Sequence, residues 1–297
     1  MGAARRALRL LAASTVVIAG ALGTLPLPSR RARERSLRCW FRVLLAALQV
    51  RTEVRGATRF APQGVPVLVV SNHVSWLDVF ALGAVQPLRL VGKSEVRDWA
   101  LVGVLARRAG TLFIDRERLS ALPATVGELA DALRAGSAVA AFPEGTTYCG
   151  GRGGEFRPAV FQAALDAGVV VRPVALRYRL EHSGGPTTVA SFVGDATLWQ
   201  SVRGVAGVRG LVVEVRLLPT LDVTQLDMTQ LDMTKLDMTK LDVTASRGAH
   251  SDRRALAAAA SAAVRAVAEP PRRAPSIPRK IVVPDRGMAG ALPCHNT

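Results

Sequence analysis

The sequence predicts an α/β protein with a central mixed, largely parallel β-sheet that is flanked by helices. Residues 65–70 form a short apolar run between Gly64 and Asn72, and such runs are typical of strands buried on both faces of a sheet. Residues 119–135 have apolar side chains at helical spacing and end before Gly136, which predicts an amphipathic helix. Because the two kinds of segment alternate along the chain, we expect helices on both faces of the sheet.

The remaining elements follow the same two patterns. A chain of 297 residues is long enough for one large domain of this kind with appended segments. Further strands are expected at residues 111–114, 137–142, 169–178, 187–193 and 211–217, and further helices at residues 76–86 and 158–167.

The N-terminal segment, residues 1–52, is expected to hold the protein at a membrane. An uncharged apolar run at residues 10–25 follows Arg5, Arg6 and Arg9. A membrane span needs about 20 residues, so we expect an uncleaved anchor that is extended by tilt or by the arginine at its start. A signal peptide cleaved near its Ala-Gly-Ala sequence is the alternative.

A cluster of arginines follows the apolar run. Their excess over the three arginines before the run places the C-terminal side in the cytoplasm, and the cluster suits anionic lipid headgroups. A solvated basic linker is the other interpretation. The cluster comprises Arg30, Arg31, Arg33, Arg35, Arg38 and Arg42.

Residues 40–50 form a second apolar stretch, which is too short to span a bilayer. Two interpretations stay open for it. One is an interfacial or re-entrant helix, and the other is an ordinary helix that packs on the globular domain.

We expect a globular domain at residues 53–220, a repeat at residues 221–244 and a C-terminal segment at residues 245–297. The repeat contains nearly five copies of a five-residue unit, Leu-Asp-Met/Val-Thr-Lys/Gln. This period matches neither a helix nor a strand, so we expect a low-complexity insert without a catalytic role. Residues 253–268 are expected to form an Ala-rich helix, and the basic tail from Pro270 is expected to be disordered.

The balance of charge indicates an anionic partner. Lys and Arg number 39 against 23 Asp and Glu, a net charge of +16, although 49% of the residues are hydrophobic. Aromatic residues make up only 5%, which is few for stacking on nucleic acid. We therefore expect a membrane surface as the partner and no nucleic acid. The three cysteines and four histidines show no metal-binding spacing, so no metal ion is expected.

The first candidate motif is NHVSWLD, which follows the predicted strand at residues 65–70. Active residues of α/β proteins lie at the carboxyl ends of strands. Four residues separate His73 from Asp78, and a turn into a helix brings the carboxylate back to one imidazole nitrogen. The other nitrogen is then free to accept a proton, as in a general base with its orienting group. A capped helix start with a surface histidine is the other interpretation.

The second candidate motif is FPEGTT, which follows the predicted strand at residues 137–142. Its turn presents backbone N–H groups and hydroxyls, which suit an anion, and Glu144 suits a substrate hydroxyl or an arginine. A tight turn that needs Pro and Gly for its shape is the alternative.

The third candidate motif is GTLFIDR, which ends the predicted strand at residues 111–114. Arg116 suits bidentate binding of a phosphate. The alternative is that Asp115 and Arg116 form only a surface charge pair.

Together these motifs resemble the glycerolipid acyltransferase family, whose best-known members are the 1-acylglycerol-3-phosphate acyltransferases. NHVSWLD is similar to the first block of that family, the His-x4-Asp motif, GTLFIDR to the second and FPEGTT to the third. Residues 171–175 resemble the fourth block, and Lys93 with Glu95 resembles a Lys-x-Glu pair between the first two. The resemblance covers about residues 55–200. It implies a glycerol-3-phosphate acyltransferase-like fold with N-terminal membrane-anchoring helices.

The resemblance also implies a role for each site residue. His73 is the general base for the acceptor hydroxyl, and Asp78 orients it. Arg116 holds the acceptor phosphate. Attack on the donor thioester is direct, so Cys149 is not expected to act as a nucleophile. The substrate-binding residues implied are Arg116, Glu144, Gly145, Thr146 and Lys93.

The reaction implied is transfer of a fatty acyl group from acyl-CoA or acyl-carrier protein to 1-acyl-glycerol-3-phosphate, which gives phosphatidic acid for phospholipid biosynthesis. The partners implied are the lysophospholipid, the acyl donor and the membrane, with the catalytic domain on the cytoplasmic side of the cell membrane. No cofactor other than the acyl co-substrate is implied. Another lysolipid acceptor, such as lyso-ornithine lipid, is one alternative, and a non-catalytic membrane-binding homologue is the other.

Overall fold

A seven-stranded sheet organises the part of the chain that the computed structural model describes, which comprises residues 2–23, 30–115, 118–150, 153–194, 197–223 and 244–268. The strands, numbered along the chain, are β1 (Val50–Gly56), β2 (Val67–Ser71), β3 (Arg89–Lys93), β4 (Leu112–Ile114), β5 (Ala138–Ala141), β6 (Val171–Leu180) and β7 (Leu211–Leu217).

The sheet is mixed but largely parallel, as predicted. Its strand order is β1-β7-β6-β2-β5-β3-β4. The strands from β6 to β4 in this order pair in parallel, β7 runs antiparallel to β6, and β1 runs parallel to β7.

Helices pack on the sheet and complete its buried faces. They are α1 (Gly2–Gly23), α2 (Arg30–Ala47), α3 (Leu77–Val85), α4 (Ala100–Arg108), α5 (Leu122–Arg134), α6 (Ala159–Ala167), α7 (Leu198–Gly207) and α8 (Thr244–Ala268).

Strand β2 shows why its sequence is a continuous apolar run. Val67 and Val69 pack in one core with residues of α2 and α3. Leu68 and Val70 point to the other face and pack in a second core with residues of α5, α6 and α8. Successive side chains of a strand alternate between faces, so a strand covered on both sides has apolar residues at every position.

Most predicted elements are present, but residues 187–193 do not form a strand. They touch the sheet region through an isolated bridge between Pro186 and Arg179 and a backbone hydrogen bond from Thr187 to Tyr178. Pro186 has no N–H to donate to a ladder, and the N–H of Ser191 closes a turn on the Thr188 carbonyl. The prediction of a strand there is wrong.

Two strands and two helices were not predicted: β1, β3, α4 and α7. Strand β1 alternates valine or threonine with Arg51, Glu53 and Arg55, because it lies at the edge of the sheet, where charged side chains are common. Strand β3 is a five-residue segment with a glycine and two charged ends. Neither strand is an apolar run, which was the signal for the others.

Helix α1 contains residues 10–23 of the predicted apolar run, but it packs on the globular domain. Arg9 is only 3% exposed. Its guanidinium donates to the carbonyls of Ala206 at 3.1 Å and Val208 at 2.5 Å, and to the side-chain oxygen of Gln49. In the described ranges, no helix has the length and hydrophobicity that crossing a bilayer requires. The predicted membrane-spanning anchor is therefore not found there.

Helix α2 shows how residues 40–50 pack. Phe41, Leu44, Leu45 and Leu48 are at most 5% exposed and belong to the core. The stretch therefore packs on the globular domain through these side chains, as the second interpretation expects.

The C-terminal part contains the predicted Ala-rich helix, which is longer than expected because α8 begins at Thr244. It packs against β6 and α6. Leu221, the first residue of the repeat, pairs with Val171 through two backbone hydrogen bonds of 2.8 and 2.9 Å. Residues 224–243 of the repeat and the tail from residue 269 lie outside the described residues.

Candidate active site

The carboxyl ends of four parallel strands meet at one edge of the sheet. Strand β2 pairs with β5, β5 with β3, and β3 with β4. Neighbouring strands lie about 5 Å apart, so these four ends span roughly 15 Å. Three predicted site residues lie at this edge: His73 follows β2, Glu144 follows β5, and Lys93 ends β3.

His73 and Asp78 form the predicted pair. Nδ1 of His73 lies 2.8 Å from Oδ2 of Asp78, whose side chain is fully buried. The same carboxylate oxygen accepts the backbone N–H groups of Val74 at 2.7 Å and Ser75 at 2.8 Å. The turn between the two residues therefore wraps around the carboxylate at the start of α3, where the helix dipole also favours a negative charge.

Asp78 has a further partner from a distant strand. The hydroxyl of Tyr178, on β6, donates to Oδ1 of Asp78 at 2.5 Å. Burial raises the pKa of Tyr178 well above its usual value, and the nearby Asp78 charge raises it further. The phenol therefore stays protonated and remains a donor to the carboxylate.

The imidazole of His73 has a stacking partner in addition to its hydrogen bond with Asp78. It stacks on the ring of Phe142, with 4.0 Å between centroids and 14° between planes. Its Nδ1 edge is turned to Asp78, which leaves Nε2 as the nitrogen that can meet a substrate. The side chain is 21% exposed, so the imidazole is only partly buried.

Glu144 fastens the second motif to the first. Its side chain is 4% exposed, and Oε2 accepts the backbone N–H of His73 at 2.7 Å. Burial raises the pKa of Glu144 to about 7. The charge of Asp78 raises it too, whereas hydrogen bonds from the backbone of His73 and Gly154 and the positive charge of Arg265 lower it. Any side chain at Gly153 would collide with the Glu144 carboxylate.

The turn after Glu144 has the shape that its sequence requires. Gly145 has a φ of +80°, which other residues rarely adopt. The N–H of Tyr148 donates to the carbonyl of His73 at 2.8 Å, so the loop after β5 binds both backbone polar groups of His73. Thr146 is exposed at the surface of this turn.

Of the two remaining predicted substrate-binding residues, Lys93 lies farther along the edge, at the end of β3. Lys93 is 46% exposed and forms an ion pair with Glu95, which is the Lys-x-Glu pair of the sequence. Arg116 lies outside the described residues. Asp115, just before it, accepts the backbone N–H of Arg118 at 3.2 Å.

A small cavity of about 10 Å³, enough for one water molecule, lies beside His73 and Glu144. One wall comes from the loop after β5, including Tyr148 and Phe156. The other wall comes from α8, through Val264, Arg265 and Ala268. The C-terminal helix is thus part of the candidate site.

Sequence reasoning missed three contributors to this site: Phe142 as the stacking partner of His73, Tyr178 and Arg265. A tyrosine inside a buried strand signals that its hydroxyl needs a partner, but nothing in the sequence identifies that partner as Asp78. Arg265 lies in an Ala-rich helix where an arginine is unremarkable without the fold.

Comparison with known proteins gives a consistent result. Residues 51–177 match the family model described as Acyltransferase. A lyso-ornithine lipid O-acyltransferase of Pseudomonas aeruginosa is 43% identical over 182 residues, which cover 61% of this chain and 67% of that protein. A 1-acyl-sn-glycerol-3-phosphate acyltransferase of Neisseria gonorrhoeae is 34% identical over 198 residues, which cover 66% of this chain and 75% of that protein.

A solved structure has the same fold. It is the 1-acyl-sn-glycerophosphate acyltransferase PlsC from Thermotoga maritima, which matches with a TM-score of 0.54 and 17% sequence identity. The match covers 88% of this chain and 96% of that chain.

Proposed function

Because this chain belongs to the glycerolipid acyltransferase family, we propose that it transfers a fatty acyl group from a thioester to the free hydroxyl of a lysolipid. It is an O-acyltransferase. The observation that carries the proposal is the 2.8 Å contact between Nδ1 of His73 and Oδ2 of Asp78 at the carboxyl edge of the sheet. This contact leaves Nε2 of His73 available as a base.

The reaction proceeds in one displacement with a proton relay. Nε2 of His73 takes the proton of the acceptor hydroxyl while the hydroxyl oxygen attacks the carbonyl carbon of the thioester. The carbon–sulfur bond then breaks, and the proton passes from the imidazolium to the departing thiolate. The products are an ester and a free thiol, either CoA or acyl-carrier protein.

Asp78 has two roles in this reaction. Its hydrogen bond fixes which imidazole nitrogen is the base, and its charge stabilises the imidazolium that exists between the two proton transfers. General base catalysis of this kind contributes typically ~10²–10⁴-fold. Neither a metal ion nor a redox group takes part in this mechanism.

The acceptor that we propose is 1-acyl-glycerol-3-phosphate, with phosphatidic acid as the product. Lys93 ends β3 at the edge where the base lies, Arg116 follows β4 by two residues in the sequence, and cations suit a phosphate. The Neisseria relative, which bears the corresponding name, supports this acceptor.

Lyso-ornithine lipid is the second candidate acceptor. The Pseudomonas relative, at 43% identity, bears the name of that activity. Its headgroup carries a carboxylate in place of a phosphate, so both candidates present an anion to the same edge of the sheet. The mechanism at His73 is the same for either acceptor.

We also propose that the enzyme works at the cytoplasmic face of the cell membrane. Leu8, Leu11 and Ile18 of α1 are 66%, 65% and 54% exposed and lie on one side of the helix. Helix α1 packs against α7, whose Trp199 is 58% exposed with Arg203 beside its ring. Exposed apolar and aromatic side chains next to arginines are typical of a surface that lies in the membrane interface.

An acyl-transfer assay in lipid vesicles tests the reaction and the acceptor. Radiolabelled oleoyl-CoA, and then oleoyl-carrier protein, is offered with lysophosphatidate, lyso-ornithine lipid or lysophosphatidylglycerol. Transfer to lysophosphatidate alone is expected. Transfer to lyso-ornithine lipid alone would reassign the acceptor and keep the mechanism. Absence of transfer with every pair would refute the proposed function.

Flotation with vesicles tests the membrane surface. The protein is expected to float with vesicles that contain phosphatidylglycerol and to float less as salt is raised, because salt screens the arginines. Leu11→Asp is expected to weaken flotation, whereas Val54→Asp, at an exposed position on β1, is the matched control. Equal flotation of the two variants would contradict this surface.

A further inference from the structure

The C-terminal helix brings a positive charge to the candidate active site from outside the residues that the family model matches. Arg265 on α8 lines the same cavity as His73 and Glu144. The family model ends at residue 177, so it gives no role to this residue. It reaches the site only because α8 folds back onto β6 and α6 after the repeat.

The position of α8 is fixed by its apolar face. Leu256, Ala257, Ala260 and Val264 are at most 2% exposed and belong to the core beside β2 and β6. Val264 precedes Arg265 directly, so the buried face sets where the arginine lies. Packing of α8 therefore fixes the backbone from which the Arg265 side chain lines the cavity.

Arg265 has unused hydrogen-bonding capacity. Within the described ranges, neither a hydrogen bond nor an ion pair joins its guanidinium to another residue. A guanidinium has five N–H donors in a planar fork, which matches the oxygens of a phosphate or a carboxylate. Arg265 is partly exposed and lines the cavity.

We propose that Arg265 binds the anionic group of the acceptor lysolipid and is a specificity-determining residue of the acyltransferase. This inference rests on the proposed function and deepens it, because it names the group that selects an anionic acceptor. The cavity is too small for a phosphate, so the headgroup meets Arg265 at the rim while the acceptor hydroxyl reaches Nε2 of His73.

The neighbouring carboxylate is compatible with this role. Burial gives Glu144 a pKa of about 7, so near neutral pH it is ionised in only part of the molecules. Repulsion between Glu144 and an anionic headgroup is reduced accordingly. The positive charge of Arg265 counteracts the repulsion that remains when Glu144 is ionised.

The alternative is that Arg265 acts only on Glu144. In that case its removal would favour protonated Glu144 and shift the pH profile of kcat to higher pH, with the KM of the acceptor unchanged. If Arg265 binds the substrate anion, its removal has the opposite effect on the two constants: the KM for an anionic acceptor rises and kcat changes little. The two roles are therefore separable by kinetics.

The test compares Arg265→Gln and Arg265→Lys with Arg254→Gln. Arg254 is exposed on the same helix, 11 residues earlier, which places it on the same side of α8 but about 16 Å away along the axis. Kinetics are measured with lysophosphatidate, with lyso-ornithine lipid and with uncharged monoacylglycerol, each at varied oleoyl-CoA. Circular dichroism checks that the variants fold.

Loss of Arg265 is expected to raise the KM for the anionic acceptor that the wild type uses by roughly 10- to 100-fold, the range for a hydrogen bond to a charged group. Arg265→Lys is expected to recover part of the loss, and Arg254→Gln to behave as the wild type. The KM for monoacylglycerol and oleoyl-CoA is expected to stay the same. A rise in KM for oleoyl-CoA alone would show that Arg265 binds the donor. A change in kcat alone would show that Arg265 acts through Glu144. Either result overturns the inference.

A binding measurement separates this inference from the proposed function. Soluble sn-glycerol 3-phosphate and N-acetylornithine, as headgroup probes, are expected to raise the unfolding temperature of the wild type and of Arg254→Gln. One of them at least is expected to lose this effect in Arg265→Gln. This readout needs no turnover, so it still decides on Arg265 if the wild type transfers no acyl group. Equal stabilisation of all variants would refute the role of Arg265.

Discussion

The hydroxyl of Tyr178 donates a 2.5 Å hydrogen bond to Oδ1 of Asp78, and both side chains are buried. Oδ2 of the same carboxylate faces His73 and two backbone N–H groups. The carboxylate that orients the base is thus held on both oxygens. Oδ2 is held within the local turn after His73. Oδ1 is bound by a residue of β6, a hundred positions farther along the chain.

Tyr178→Phe is expected to lower kcat roughly tenfold and to leave the KM for acceptor and donor unchanged. The variant removes only the hydroxyl, so Oδ1 of Asp78 loses its donor while remaining buried. Such a loss costs on the order of 1–3 kcal/mol, and we expect it to appear both in positioning and in the free energy of unfolding. Steady-state kinetics and urea unfolding measure the two effects. Unchanged kcat would show that the local turn alone fixes Asp78.

His73→Ala is expected to reduce kcat by roughly 10²–10⁴-fold, because the base is lost, with an unchanged far-ultraviolet circular dichroism spectrum. His182→Ala is the matched control, since His182 lies exposed in the turn after β6. It is expected to retain the wild-type rate. A His73→Ala variant that folds and keeps full activity would rule out the mechanism.

Glu144 makes the stability of the protein depend on pH. Its pKa is about 7 in the folded protein against an ordinary value of 4.5, so the folded state binds the proton more tightly between these values. The free energy of unfolding therefore falls as pH rises from about 4.5 to about 7, by on the order of 3 kcal/mol in total from this group. Below this window the contribution is fully present, and above it the contribution is lost.

Glu144→Gln is expected to remove that pH dependence. The amide does not titrate, although it satisfies fewer N–H groups and lowers stability by an amount that is constant with pH. Urea unfolding of both proteins at pH 5, 6, 7 and 8 measures the difference. Parallel pH profiles would show that Glu144 ionises normally.

The two strand-end motifs show why part of the site was predictable. Four residues separate His73 from Asp78, and the turn that joins them is local, so their spacing was enough to predict the contact. Strand β2 was predictable because burial on both faces requires an apolar residue at each position. The predicted strand at residues 187–193 failed because the segment has apolar residues but Pro186 and the turn at Ser191 prevent a ladder.

Tyr178 and Arg265 show what the sequence did not contain. Each reaches the site through a long-range arrangement, the pairing of β6 with β2 or the packing of α8 on β6. The N-terminal helix depends on a long-range arrangement as well. Buried Arg9 binds the carbonyls of Ala206 and Val208, and the sequence does not show that these residues lie close together. The apolar run after it is therefore compatible with a helix packed on the domain.

The repeat joins the sheet to α8, and this position makes its role testable. Deleting residues 231–240 removes two copies of the unit, keeps the pairing of Leu221 with Val171 and leaves α8 intact. Because α8 is positioned by its own apolar face, we expect the shortened protein to keep its unfolding temperature and to lose less than half of its acyl-transfer rate. Loss of activity with an unchanged unfolding temperature would show that the repeat itself takes part in the reaction.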